Sequence, residues 1–319
     1  MGGLLTELGK HLAERWLSLL VLPGALLLAA LAAADTLGHA DPFAVGRLAD
    51  RLDALAASPR LDGTGGPALV LLALLLAAAG AGLAAQALGS LAERWWLTPG
   101  SAPRRLTAAR LRRWTERAEA YDARVVELAD ARADGVAPPP GPDLATARAR
   151  RDAIALERPD RPTWMADRVN APAVRLDREY ALDLASVWPQ LWLILPDTSR
   201  AELTAAREAF SRAATLAGWG VLYLAVAALW WPGLLVAAGT VLTGWRRGRA
   251  GVDAYAALLE ATARLYTPEL AAQHGLTPEP ERLTARTGWE LTCLAQGQGH
   301  LIALTDRAPT GGAVPRPDR

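Results

Sequence analysis

Between Arg212 and Arg246 the chain has no charged residue, and this run constrains the fold more than any other feature. As one helix, residues 213–245 would measure about 50 Å, against a bilayer hydrocarbon core of about 30 Å. A single crossing would demand extreme tilt. The flanking charges decide between one crossing and two. Upstream lie Arg94, Arg104, Arg105, Arg110, Arg112, Arg113 and Arg117; downstream lie Arg246, Arg247 and Arg249. Arginine clusters mark the cytoplasmic side of a span, so both ends of the run belong there and the number of crossings is even. The simplest solution is a hairpin with arms 213–231 and 233–248, turning at Trp231-Pro232-Gly233. Proline cannot continue the first arm's hydrogen-bond ladder, and glycine permits a tight turn. Trp230 and Trp231 then mark the outer interface. Trp219 and Trp245, with Arg246 and Arg247, mark the inner one. The arms are short, and a re-entrant hairpin satisfies the same charges. It is less favoured because a turn inside hydrocarbon needs protein cover.

Two further apolar runs fit one crossing each. Residues 16–34 hold a Pro23-Gly24 pair that reads as a kink; a cleavable signal peptide is the rival reading of this stretch. Residues 67–92 end against Trp95 and Trp96, at interface depth. Ala78, Gly82 and Gln86 recur every four residues along this run. They read either as a helix-packing seam of small residues or as ordinary spacing in an Ala-rich helix. The topology expected is four spans with residues 1–15 and the C-terminus cytoplasmic, in a bacterial inner membrane. The loop 35–66 is external and mildly acidic. In it Val45, Leu48, Leu52 and Leu55 predict an amphipathic helix lying on the outer face.

The remaining composition closes off much chemistry. Net charge is +1, and Lys10 is the one lysine among 34 basic residues. The single cysteine, Cys293, excludes an intramolecular disulfide, and His11, His39, His274 and His300 are scattered. No spacing suits a metal, no glycine-rich phosphate loop follows a strand, and no cofactor is expected. Cys293 with His300 is a weak nucleophile pair; an inert buried thiol fits better. The basic cluster 104–117 follows a span directly, so topology and anionic lipid explain it before nucleic acid does. The spans lack acidic residues, which argues against an ion-coupled transporter.

The expected fold class is all-α, with a cytoplasmic helical domain over 93–212. Within 104–157 a helical hairpin is predicted. Leu111, Trp114, Ala118, Tyr121, Val125 and Leu128 form a short a/d seam. "GVAPPPGPD" makes a stiff connector, and Asp143 caps a second helix reaching about Glu157. In the motif region 158–197, "VWPQLWLILP" is too short to cross a membrane and reads as interfacial or core-buried. Ser199 and Glu202 form a capping box for a helix running into the third span. Over 249–304 the chain continues in helices, with Tyr255, Leu258, Leu259, Thr262 and Tyr266 on one face. Pro268 interrupts and Gly275 ends the first of them. Residues 305–319 read as a disordered tail. The charges Arg175, Asp177, Arg178, Glu179 and Asp183 read as a solvated face with local ion pairs, or as a ligand site.

"PTWMADRVNA", then "REYALDLASVWPQLWLILPD", then a hairpin, then "DAYAALLEATARLYTPELAAQHGL" resembles a family of uncharacterised multi-pass bacterial membrane proteins of actinobacterial and cyanobacterial type. Pro162, Thr163, Tyr180, Leu182, Asp183, Trp188, Pro189 and Leu191 match that pattern. Ala166-Asp167 stands in place of a Gly-Asn pair, and Ala181 in place of a glycine. The resemblance implies a shared topology and carries no activity. The function expected is a non-enzymatic membrane scaffold or adaptor, presenting its cytoplasmic domain to a co-encoded protein or a second copy of the chain. The alternative is an oligomeric channel or membrane-disrupting effector.

Overall fold

The computed structural model describes residues 21–56, 65–100, 103–276 and 283–307. Among them the chain is all helical, with no strand. The helices are α1 (Leu22–Leu37), α2 (Val45–Ala56), α3 (Gly65–Trp96), α4 (Arg104–Ala133), α5 (Leu144–Asp152), α6 (Trp164–Tyr180), α7 (Leu184–Ile194), α8 (Asp197–Leu229), α9 (Pro232–Gln273), α10 (Ala285–Ala295) and α11 (His300–Arg307). Two of them, α3 and α8, are long and apolar enough to cross a membrane. α1 with 16 described residues falls short, as does the apolar head of α9, which meets Arg246 within four turns. The N-terminal segment 1–15, residues 16–20 of the first run and the tail beyond Arg307 lie outside the described residues.

The chain forms two units, Met1–Trp95 with Ala209–Arg249, and Trp96–Glu208 with Ala250–Arg319. In the first, helices approach through glycine. A Cβ on Gly24 would collide with the carbonyl of Ala78, one on Gly89 would stand 2.7 Å from Cα of Thr215, and one on Gly218 would strike Ala85 and Gly89. Gly244 lies against Ala217, and Gly220 against Ala237 and Val241. Pro23 sits in the first turn of the described part of α1, so the turn a kink there would bend lies outside the described residues, and its neighbour Gly24 serves helix contact. In α3 Ala78, Gly82, Ala85 and Gly89 are buried, whereas Gln86 is exposed. The seam therefore does not include Gln86. Trp219 packs in the core of this unit with Leu27, Ala34, Ala85 and Val226, not at an interface.

The connection between α8 and α9 is Trp230-Trp231. Pro232 already opens α9, where its missing N–H costs nothing. Gly233 is helical too, and a Cβ there would meet Val226 and Ala227 across the crossing. Trp230 Nε1 donates to the Pro42 carbonyl at 2.8 Å, and Phe43 meets Trp231 edge-on with ring centroids 6.3 Å apart.

The second unit has a leucine core: Leu176, Leu182, Val187, Leu191, Leu203 and Leu291 are essentially inaccessible. From α9, Leu259, Ala263, Leu270 and Ala271 are buried in it, with Tyr255, Leu258 and Tyr266 packed alongside. Pro268 does not interrupt α9, which runs on to Gln273; the fully buried Thr267 hydroxyl donates to the Ala263 carbonyl at 2.6 Å. Past the helix end, Gly275 has φ +74° and Leu276 N–H returns to the Ala271 carbonyl, the six-to-one bond of a Schellman stop. α8 starts at Asp197, and Arg200 N–H bonds the Pro196 carbonyl, so Ser199 lies inside the first turn and is not the cap.

Asp143 caps α5 by accepting the Thr146 N–H at 2.7 Å, and α5 ends at Asp152, short of Glu157. Along α4 the a/d positions Leu111, Trp114, Ala118, Tyr121 and Leu128 are half-buried, and the pattern departs at one place. Val125 is exposed, while its neighbour Arg124 is buried and donates to the carbonyls of Pro139 and Pro142, both at 3.0 Å. The proline-rich connector has carbonyls with no regular ladder to join, and a buried guanidinium has the donors to satisfy them.

Candidate functional site

A groove of about 680 Å³ opens in the second unit, lined by Trp114 from α4, Arg148 and Arg151 from α5, Leu156 and Glu157 after it, Arg175, Arg178 and Glu179 from α6, and Glu260 and Arg264 from α9. Helical spacing puts each helix's contributors on one face: i and i+3 on α5, i, i+3 and i+4 on α6, i and i+4 on α9. Trp114 is fixed by an Nε1 bond to the Ala155 carbonyl at 2.9 Å.

The carboxylates bind the arginines into a network. Glu157 accepts from Arg175 Nε at 2.8 Å and from Arg178 Nη1 at 2.7 Å. Glu260 accepts from Arg175 Nη1 at 3.1 Å and from Arg264. Arg264 also pairs with Glu179 at 2.8 Å and lies over the Tyr180 ring. Burial alone pushes the Glu157 carboxyl upward, but hydrogen bonds from Arg178 and Arg175 outweigh it and hold the group below its usual range. The Arg264 hydrogen bond holds Glu179 down. Hydrogen bonding to Glu179, with burial, pushes the Tyr180 phenol up.

The motif residues have structural partners. Pro162 is buried. Thr163 caps α6 through the Ala166 N–H at 3.1 Å and gives its own hydroxyl proton to the Trp96 carbonyl. Asp167 accepts from Arg110 Nη2 at 2.5 Å and from the Asp160 and Arg161 N–H groups. Burial dominates there and pushes its carboxyl up despite Arg110. The chain then turns through Ala181, the one non-glycine described residue with positive φ, at +50°. Asp183 caps α7 by accepting the Ala185 N–H, and its other oxygen takes Ser186 and Gln296. Its own N–H donates to Thr292 Oγ1 on α10. Trp188 and Trp192 pack against the leucine core, 6.0 Å between centroids, while Pro189 is exposed within α7.

Of the charges read from "RLDREYALD", Arg175, Arg178 and Glu179 reach the groove; Asp183 is a cap elsewhere. Glu157, Glu260 and Arg264 escaped the sequence reading. The i, i+4 pair Glu260–Arg264 was their only local signal. Among the residues expected at membrane interfaces, Trp95, Trp231, Trp245, Arg246 and Arg247 are exposed, and Trp96 and Trp230 half-buried. Arg249 stacks over Trp245 at 5.2 Å. Cys293 is fully buried on α10, and burial pushes its thiol up, the opposite of an activated nucleophile. No group of three or more His, Cys, Asp or Glu side chains is placed to hold a metal among the described residues. Comparison with protein-family models, with curated proteins and with solved structures finds no match to this chain.

Proposed function

We propose that this chain is a non-enzymatic multi-pass membrane scaffold, whose polar helical unit is presented in the cytoplasm to a protein partner. In this reading the chain crosses a bacterial inner membrane four times, with both termini inside. The partner is a co-encoded protein or a second copy of the chain. One observation carries the docking assignment. At the connector end of the α4–α5 hairpin, Val125, Val126 and Val136 are 38%, 57% and 58% exposed, with the exposed charges Asp122, Glu127, Asp130 and Arg132 close by in the chain. Apolar side chains held out on a charged helical hairpin are the kind of patch a partner covers.

The channel reading draws on free small-residue faces. Here Gly24, Gly89, Gly218 and Gly244 each meet a helix of the same chain, which leaves that reading with less support. The test is site-specific photocrosslinking from position 126 of the full chain in native membranes. A discrete adduct, with the co-encoded protein or with the chain itself, that disappears when Val125 and Val136 are changed to Asp supports the scaffold. No adduct, or adducts indifferent to those changes, refutes it. Topology is checked separately, with cysteines placed at His39 and Arg117: an impermeant maleimide added to intact cells should label position 39 and spare 117.

A further inference from the structure

We propose that the arginine-lined groove of the second unit binds a small phosphate-bearing anion, a property the scaffold reading neither requires nor predicts. Its volume, about 680 Å³, falls in the usual range of about 300–1,000 Å³ for small-ligand sites. Its lining does not. Such sites are mostly apolar, whereas eight of these ten residues are arginine or glutamate. A ligand that gains from this lining is one recognised by charge and hydrogen bonds.

The glutamates do not repel an anion outright, because each is already engaged by guanidinium. Glu157 holds Arg175 and Arg178, Glu260 holds Arg175 and Arg264, and Glu179 holds Arg264. They act as braces that fix the forks, so less side-chain freedom is lost when a ligand arrives. Asp152 braces Arg151 at 2.8 Å in the same way. Counting Asp152, five arginines face four carboxylates, so the neighbourhood stays positive.

Donors remain. Arg148 is 64% exposed and held only by a 3.4 Å contact from Nε to Asp152, which leaves both its Nη groups open. Arg178 is 65% exposed and engages Glu157 through its Nη atoms, leaving Nε–H. Arginine forks converging from α5 and α6 suit a phosphate, whose oxygens accept from several directions at once. The half-buried Trp114 ring and Leu156 give the groove one apolar wall, against which the body of the ligand can rest.

The same chemistry reaches the groove from a soluble phosphate compound or from a lipid phosphomonoester. Calorimetry on the detergent-purified full chain separates the two, with inorganic pyrophosphate in one arm and phosphatidic acid in mixed micelles in the other. The variant Arg148→Gln/Arg178→Gln should weaken binding about tenfold or more. Arg132→Gln/Arg286→Gln, which removes the same charge from exposed positions outside both the groove and the basic cluster 104–117, should leave it within about twofold. Pyrophosphate binding with this pattern supports the site with a soluble ligand. Phosphatidic acid binding with this pattern, and none of pyrophosphate, supports it with a lipid headgroup. The proposal is overturned if neither probe binds at millimolar concentration, or if both variants weaken binding equally. A pentaglutamate peptide binding more tightly than either probe also overturns it, and points to an acidic protein segment.

Discussion

In the unit of Met1–Trp95 and Ala209–Arg249, helices meet backbone to backbone at glycines. In the unit of Trp96–Glu208 and Ala250–Arg319 they meet through leucines, buried caps and arginine–carboxylate pairs. The difference follows from what each sequence offers. α3 and the C-terminal half of α8 carry outward apolar side chains such as Leu72, Leu76, Leu83 and Leu224 at 48–65% exposure. On the proposed reading that these helices lie in lipid, those side chains gain nothing by turning inward, so close packing of small residues has to hold the helices together. On the same reading the second unit lies in water, where the hydrophobic effect is available and charged side chains reach between elements.

The largest effect that separates the two regimes is expected at Asp167. It is buried with Arg110, the side chains only 6% and 14% exposed. Asp167→Ala leaves that guanidinium with the Ile154 carbonyl but no counter-charge and strands two backbone N–H groups, at a cost of about 3–5 kcal/mol. Thermal unfolding in detergent should show a transition many degrees lower. Cysteine-accessibility mapping of the α3–α8 packing should be unchanged, and a matching loss there would erase the contrast between the units.

Next in size is the glycine contact. Gly218→Ala forces a methyl onto the Ala85 carbonyl and should cost about 3 kcal/mol, the upper end for overpacking. Gly80→Ala, in open space on α3, should change stability by less than about 1 kcal/mol, in the stabilising direction. Equal effects from the two substitutions, read by unfolding in detergent, would show that glycine serves only chain flexibility in this unit.

Acid should act on the second unit through the carboxylates of its groove. The Glu157 and Glu179 carboxyls lie below their usual values in the fold, so each contributes stability that is present above the unfolded pKa of 4.5. That contribution is lost as pH falls through the lower folded value. Asp167 has the opposite sign: its raised pKa favours the protonated form, so its ionisation costs stability as pH rises above 3.8. Between pH 5 and 3 the groove should therefore loosen, by about 1 kcal/mol or less, measured as lower protection of α6 amides 175–179 relative to their intrinsic exchange rates at each pH. Glu157→Gln should abolish most of that dependence.

How much of this was readable beforehand depends on the range of the interaction. Helix periods, charge-free runs and the Asp143 cap are local, and the chain displays them. The buried row of α3 was missed at Gln86 because a strict four-residue step overruns the helical repeat: Gln86 stands about 80° from Ala78 around the axis, while Ala85 stands about 20° away. Arg124 lies off the a/d row and carried no signal; only the folded connector brings it two proline carbonyls to bond. The groove was least legible of all. Arg175 and Glu260 are 85 residues apart, and nothing in either neighbourhood announces the pair. Pro268 misled because a proline breaks an isolated helix, whereas α9 is held by burial on both sides of it, at Thr267 and Leu270.

The smallest expected effect is the most local, and its sign is opposite. Ala181 adopts φ +50° and ψ 34°, a left-handed conformation that costs an L-residue about 1–2 kcal/mol. Glycine pays no such strain but loses more freedom on folding, so Ala181→Gly should stabilise by only about 0.5–1 kcal/mol. The turn is pinned from the other side by Gly288, where a Cβ would collide with the Tyr180 carbonyl. Gly288→Ala should therefore destabilise the same turn that Ala181→Gly relaxes. Chemical denaturation of both variants in the same detergent tests the pair. Two shifts in the same direction would mean that this turn is governed by its side-chain bonds, Asp183 and Thr292 foremost, and not by backbone strain.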